Sequence, residues 1–190
     1  MKKIELTMND LVRRDGLYYK GSTNVPLSGT VTGEHQGAFK DGKEHGPWVG
    51  YHDNGQLSYK ITYKDGIRDG RWVRYHDNGQ LSYKETYKNE MKHGPWVSFY
   101  YNGQLEYKGT YKDGRKHGRW VYYHDNGQVW IKGTYKDDER DGRWVRYHDN
   151  GQLEYKGTYK DGQVEGPWVR YDKNGKLMYK KIYQNGEETL

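Results

Sequence analysis

Apolar and polar residues alternate one by one through much of this chain. From Gln56 to Lys64, Leu57, Tyr59, Ile61 and Tyr63 alternate with Ser58, Lys60, Thr62 and Lys64. A period of two marks a strand with one apolar and one polar face. Just upstream, Pro47-Trp48-Val49-Gly50-Tyr51-His52 forms another short run, and Asp53-Asn54-Gly55 separates the two. Asn-Gly between such runs is a strong hairpin signal. A second turn, from Asp65-Gly66 to Gly70, leads into the next Arg-Trp-Val. The pattern predicts two antiparallel strands per unit.

The unit recurs every 24 residues. Trp48, Trp72, Trp96, Trp120, Trp144 and Trp168 keep this beat, each followed by valine, as do Gly55, Gly79, Gly103, Gly127, Gly151 and Gly175. A fixed period of roughly 20 to 50 residues predicts a stacked, quasi-one-dimensional solenoid rather than a domain around a central core. Pro47, Pro95 and Pro167 stand at the first residue of a strand, where a missing N–H is tolerated. The expected fold is all-β: a single elongated antiparallel sheet of tandem hairpins, advancing roughly 9.6 Å per repeat at about 4.8 Å per strand. Residues 1–14 read as a tail or short helix, 15–45 as a degenerate amino-terminal cap, 46–186 as six tandem repeats and 187–190 as a tail. Within the cap, Gly16 to Lys20 resembles a second strand and Gly29 to Gly33 a first strand without its tryptophan.

The length of the first turn decides which face holds tryptophan. A two-residue Asn54-Gly55 loop puts Trp48 with Leu57 and Tyr59. A three-residue loop with Gly55 left-handed puts Val49 and Tyr51 there instead, because one residue of slip flips a strand. The second arrangement is preferred: it gives a uniform Val, Tyr, Leu, Tyr face and sets Trp48 opposite Lys60 for a cation–π contact.

Composition sharpens this picture. Charged residues make up 31% of the chain and aromatics 16%, with 21 Tyr and 7 Trp. So much ring surface argues against disorder despite the charge and suits half-buried sheet faces. The net charge of +6 permits an anionic partner without demanding one. With no cysteine, disulfide and thiol chemistry are excluded. No apolar run approaches about 18 residues, so no transmembrane helix is expected. The first ten residues do not read as a secretory leader. The chain as written is expected in the cytoplasm, or outside it if a leader has been removed.

Repetition bears on chemistry too. His52-Asp53-Asn54 recurs at His76, His124 and His148. A metal ladder fails on distance, since equivalent residues lie roughly 9.6 Å apart and zinc bonds are about 2 Å. The expectation is turn-building Asp and Asn with a strand-capping His, and neither a metal nor a cofactor. The serines, at 22, 28, 58, 82 and 98, form no Gly-x-Ser-x-Gly elbow, and no glycine cluster opens a helix as a phosphate loop does. An enzyme is therefore not expected.

The better candidate is the ladder of rings and cations. Lys60, Lys84, Lys108, Lys132 and Lys156 align, Arg74, Arg146 and Arg170 share a position, and the six tryptophans run beside them. Such a surface offers a protein partner repeated aromatic and arginine hot spots. Nucleic acid or anionic lipid is a second reading, and a solvated structural spacer a third. Exposed terminal edges could also pair end to end.

The motif Gly-Pro/Arg-Trp-Val-x-Tyr-x-x-Asn-Gly-Gln-Leu, then Tyr-Lys-x-Thr-Tyr-Lys-Asp-Gly, resembles the bacterial variant of the MORN repeat, found in proteins grouped as YwqK-type antitoxins. The likeness runs over nearly all of residues 16–186. It implies an antiparallel sheet used for protein binding, with toxin neutralisation as one role and no catalytic residues to carry over. Asn89-Glu90 and Asp137-Asp138, which replace Asp-Gly, together with Trp130, Ile131 and Phe99-Tyr100-Tyr101, depart from the motif.

Overall fold

The computed structural model describes residues 5–189 and is almost wholly antiparallel strand. Two compact units divide at Met91 and Lys92.

In the first unit, Gly29–Val31, His35–Lys40, Lys43–Tyr51, Leu57–Lys64, Gly70–Tyr75 and Leu81–Lys88 pair in that order, and Leu57–Lys64 also pairs with the short Ile67–Arg68. The amino-terminal stretch packs on the first strands, and residues before the expected cap take part in it. Leu11–Arg14 pairs with Leu17–Lys20, and Leu6, Met8, Leu11 and Tyr18 pack on a core of Leu27, Val31, Phe39, Trp48 and Ile61. This covers apolar surface that no preceding repeat could bury. The predicted tail or short helix over 1–14 is therefore a 3-10 turn at Met8–Asp10 followed by a strand, with residues 1–4 outside the described part.

In the second unit, Gly94–Phe99, Leu105–Lys112, Arg115–Tyr123, Val129–Lys136, Gly142–Tyr147, Leu153–Lys160, Gln163–Tyr171 and Leu177–Gln184 pair in sequence order. Glu187–Thr189 adds a last strand where a tail was expected, and Leu190 lies outside the described residues.

Both turns follow from their residues. At the first, the N–H groups of Gly55 and His52 donate to the carbonyls of His52 and Gln56, both at 2.8 Å, and Gly55 has φ +79°. That is the three-residue loop with a left-handed glycine. At the second, Asp65 (φ +53°) and Gly66 (φ +83°) form a two-residue turn with both residues left-handed, the hairpin turn whose twist matches its strands.

The register nevertheless reverses the preferred face assignment. Tyr51 pairs with Leu57, as the three-residue loop requires, but Gly50 pairs with Tyr59, Val49 with Lys60 and Trp48 with Ile61. Ser58 is an extra residue, a β-bulge, and beyond it every side chain of the strand changes face. The same shift recurs at Ser82, Glu106, Trp130, Glu154 and Met178. Trp48 therefore stands with Tyr59, Ile61 and Tyr63, and Lys60 stands with Val49 on the opposite face.

Candidate functional site

Each sheet presents a tryptophan face and a lysine face. On the first, the indole lies flat against the preceding strand, over a residue 11 positions upstream. Where that residue is Gly37, Gly109 or Gly133, an added Cβ would fall inside the ring. The Nε1 groups of Trp48, Trp120 and Trp144 then donate to the carbonyls of Ala38, Thr110 and Thr134 at 3.2 Å. These three tryptophans are 5%, 1% and 0% exposed. Ile61 takes the glycine's place before Trp72; this indole is half-buried and its Nε1 has no hydrogen-bond partner. Trp168 lies over Gly157 and stays half-buried, as does Trp96.

The cations above these rings are not the ones the sequence reading chose. Arg68 stands 5.5 Å from the ring centroid of Trp72, Lys92 3.7 Å from Trp96, Lys116 4.7 Å from Trp120 and Arg140 4.4 Å from Trp144. All four lie four residues before their tryptophan, a spacing visible in the sequence but not used. Phenol hydroxyls hold two of them, through Lys116 Nζ to Tyr122 (3.0 Å) and Arg140 Nη1 to Tyr159 (2.9 Å). Burial raises the pKa of Tyr122 and of Tyr155 on this face.

Arg146 and Arg170 are also fixed here. Glu154, the bulge residue of its repeat, is 8% exposed. It forms an ion pair with Arg146, whose Nε is 2.9 Å away, and accepts a hydrogen bond from Arg170 Nη2 at 3.2 Å, tying two repeats together. Arg74 shares their repeat position, is exposed, and lies across from Tyr59 and Tyr83. Of the candidate contact residues, Trp48, Trp120 and Trp144 are therefore core, while Arg146 and Arg170 stay half-exposed in their ion pairs with Glu154.

The lysine face is built differently. In the second unit one row runs Val97, Lys108, Val121, Lys132, Val145, Lys156, Val169, Lys180, each residue directly across from the next. In the first unit Val49, Lys60, Val73 and Lys84 form the same row. Beside it Arg119 pairs with Thr134 and Arg143 with Thr158, all four exposed. Lys108 and Lys132 stand 5.8 and 5.0 Å from the rings of Tyr123 and Tyr147. Lysine stems cover the valines while the ammonium groups stay in water. A concavity of about 550 Å³ opens on this face over Val97, Val121 and Val129, with Lys108, Arg119 and Lys132 around it.

The carboxylates lie mostly elsewhere. Asp65, Asp113 and Asp137 meet His45, His93 and His117 at the second turns, at 3.1, 3.3 and 3.5 Å. Asp161 meets Lys136 and Asp149 meets Lys173. Lys108, Lys132, Lys156, Arg119 and Arg143 take no part in the ion pairs among the described residues. The first turns are laced to their neighbours: His52, His124 and His148 bond the carbonyls of Tyr75, Tyr147 and Tyr171. Asn54, Asn102, Asn126 and Asn150 each donate to a carbonyl of the next turn. Among the described residues no group of three or more His, Cys, Asp or Glu could hold a metal ion, and no helix is long and apolar enough to cross a membrane.

Tandem antiparallel hairpins of one repeating motif define a β-hairpin repeat protein. The chain belongs to the MORN repeat variant family, whose model matches residues 44–65, 68–89, 92–113, 116–137, 140–161 and 164–185. Repeats of this kind generally bind proteins or membranes. Comparison with curated proteins finds no match. Among solved structures, the chain is similar to one described as the crystal structure of the GtfA/B complex bound to UDP and GlcNAc. The likeness has 19% identity and a TM-score of 0.25, and it covers 60% of this chain and 22% of that chain.

Proposed function

We propose that the chain is a non-enzymatic repeat scaffold that binds a protein partner through its lysine face. The observation that carries this reading is the row of lysines set between buried or half-buried valines and flanked by the exposed Arg119 and Arg143, whose cations form no ion pair among the described residues. Repetition supports the non-enzymatic part: like groups recur in rows, whereas catalysis needs unlike groups converging on one point. A toxin neutralised by occlusion is the finer reading, in line with the family resemblance.

Capture from a lysate of the source organism tests it. The native chain and Arg74→Glu, a charge change on the tryptophan face, should retain the same partner. Lys132→Glu/Lys156→Glu should lose it. A partner held equally by all three overturns the assignment to the lysine face.

The same cation row favours a second reading, an anionic lipid or single-stranded nucleic acid surface. It predicts binding to acidic vesicles or oligonucleotides that falls steeply with salt. Negligible binding at low salt removes it.

A further inference from the structure

The lysine row has a spacing as well as a charge. Lys108, Lys132, Lys156 and Lys180 occupy every second strand of one row, with a valine between each pair. At about 4.8 Å per strand, neighbouring lysines stand roughly 9.6 Å apart. Tyr123, Tyr147 and Tyr171 fall at the same interval, and the first two lie against Lys108 and Lys132. A ligand that engages every repeat must carry its own groups at this interval.

Few polymer conformations do. A β-strand returns to one face about every 6.7 Å and falls out of phase after one lysine. An α-helix returns after seven residues, about 10.5 Å, and has drifted almost 3 Å by the fourth lysine at 1.5 Å per residue. A polyproline II segment has three residues per turn and a rise of 3.1 Å, so every third side chain returns at about 9.3 Å and drifts only about 1 Å over the same span. Charge sets the other requirement: four lysines that form no ion pair among the described residues call for acids. Tyrosine rings beside them suit proline, as in aromatic-lined grooves that take proline-rich segments.

Building on the protein-binding reading above, we propose that the lysine face of the second unit recognises an extended acidic segment of its partner, in polyproline II conformation, with Asp or Glu at every third position. Each carboxylate meets one lysine, and the residues between lie over the tyrosines and the lysine stems that cover the valines. The segment is held already extended, so little ordering entropy is lost on binding.

The test uses the full chain and two synthetic peptides of identical composition. One repeats Glu-Pro-Pro about five times, long enough to span the four lysines at roughly 9.3 Å per triplet. In the other the same residues are shuffled, with the glutamates clustered. The triplet peptide should bind about tenfold more tightly, a difference of about 1.4 kcal/mol. Lys132→Glu/Lys156→Glu should remove that preference, with Arg74→Glu as control and thermal unfolding as the check that each variant folds. Equal affinity for the two peptides overturns the periodic match and leaves the protein-binding reading intact. Binding of neither peptide, with partner capture retained, overturns the acidic segment alone. Loss of capture as well overturns both. Tighter binding to oligothymidine or acidic vesicles than to the triplet peptide also overturns it.

Discussion

At the scale of single residues, glycine decides what tryptophan does. Gly133 leaves bare backbone on which the Trp144 indole lies, so Gly133→Ala forces a methyl group into the ring. Overpacking of this kind typically costs about 1–3 kcal/mol, and a lower urea midpoint should report it. Glu90 is the opposite case. It holds φ +64° at a turn position where Gly66 and Gly114 stand in other repeats. A left-handed non-glycine residue costs about 1–2 kcal/mol, and glycine's greater freedom in the unfolded chain gives part of that back. Glu90→Gly should therefore raise stability by about 0.5–1 kcal/mol in the same titration. Both effects were legible in the residues. The glycine 11 positions before Trp48, Trp120, Trp144 and Trp168 marks where an indole can lie flat, but tryptophan on a repeating surface reads first as a hot spot. The sequence reading gave it that role.

At the scale of the strand, the two-residue period and the turn chemistry were enough to place the hairpins, and the bulge was not. Asn-Gly, Asp-Gly and alternating rings each act through local conformational preference, so each shows in a single copy of the repeat. Ser58 makes a bulge only because turn and strand together leave one residue over, and serine, glutamate, tryptophan and methionine all occupy the position. With no residue signature, the face assignment came out inverted although the loop length was right. The freedom of this site also admits function-specific side chains. Glu154 uses it to bind Arg146 and Arg170 from two repeats. Removing the buried carboxylate leaves two half-exposed guanidinium groups without a partner, and Glu154→Ala should cost about 2 kcal/mol. In a double-mutant cycle, Arg170→Ala/Glu154→Ala, the pair that crosses from one repeat to the next, should cost about 1 kcal/mol less than the two single changes added together. Strict additivity would mean that the pair does not couple the repeats.

At the scale of the whole molecule, half-buried phenols pack around a core of aliphatic side chains and indoles, and these phenols set how it responds to alkali. Burial raises the pKa of Tyr59, Tyr63, Tyr122 and Tyr155 above the ordinary 10.0. Tyr87 is raised by burial and then by the Glu85 carboxylate, to which its hydroxyl donates at 3.0 Å. Below about pH 9 both folded and unfolded chains keep these protons, and stability does not depend on them. Above it the unfolded chain loses protons that the folded chain retains. The folded state then binds more protons, so the free energy of unfolding falls as pH rises, until the folded phenols themselves ionise. A leucine core of the same size has no such weakness, because nothing in it titrates. Urea midpoints should hold level up to about pH 9 and drop above it, and the phenolate absorbance of Tyr59, Tyr63, Tyr122 and Tyr155, read by difference from their Tyr→Phe variants, should rise in step with unfolding and not before. Phenolate assigned to these four tyrosines near pH 10 in a chain that stays folded would show them to be solvated, and with them the aromatic layer around the tryptophan face.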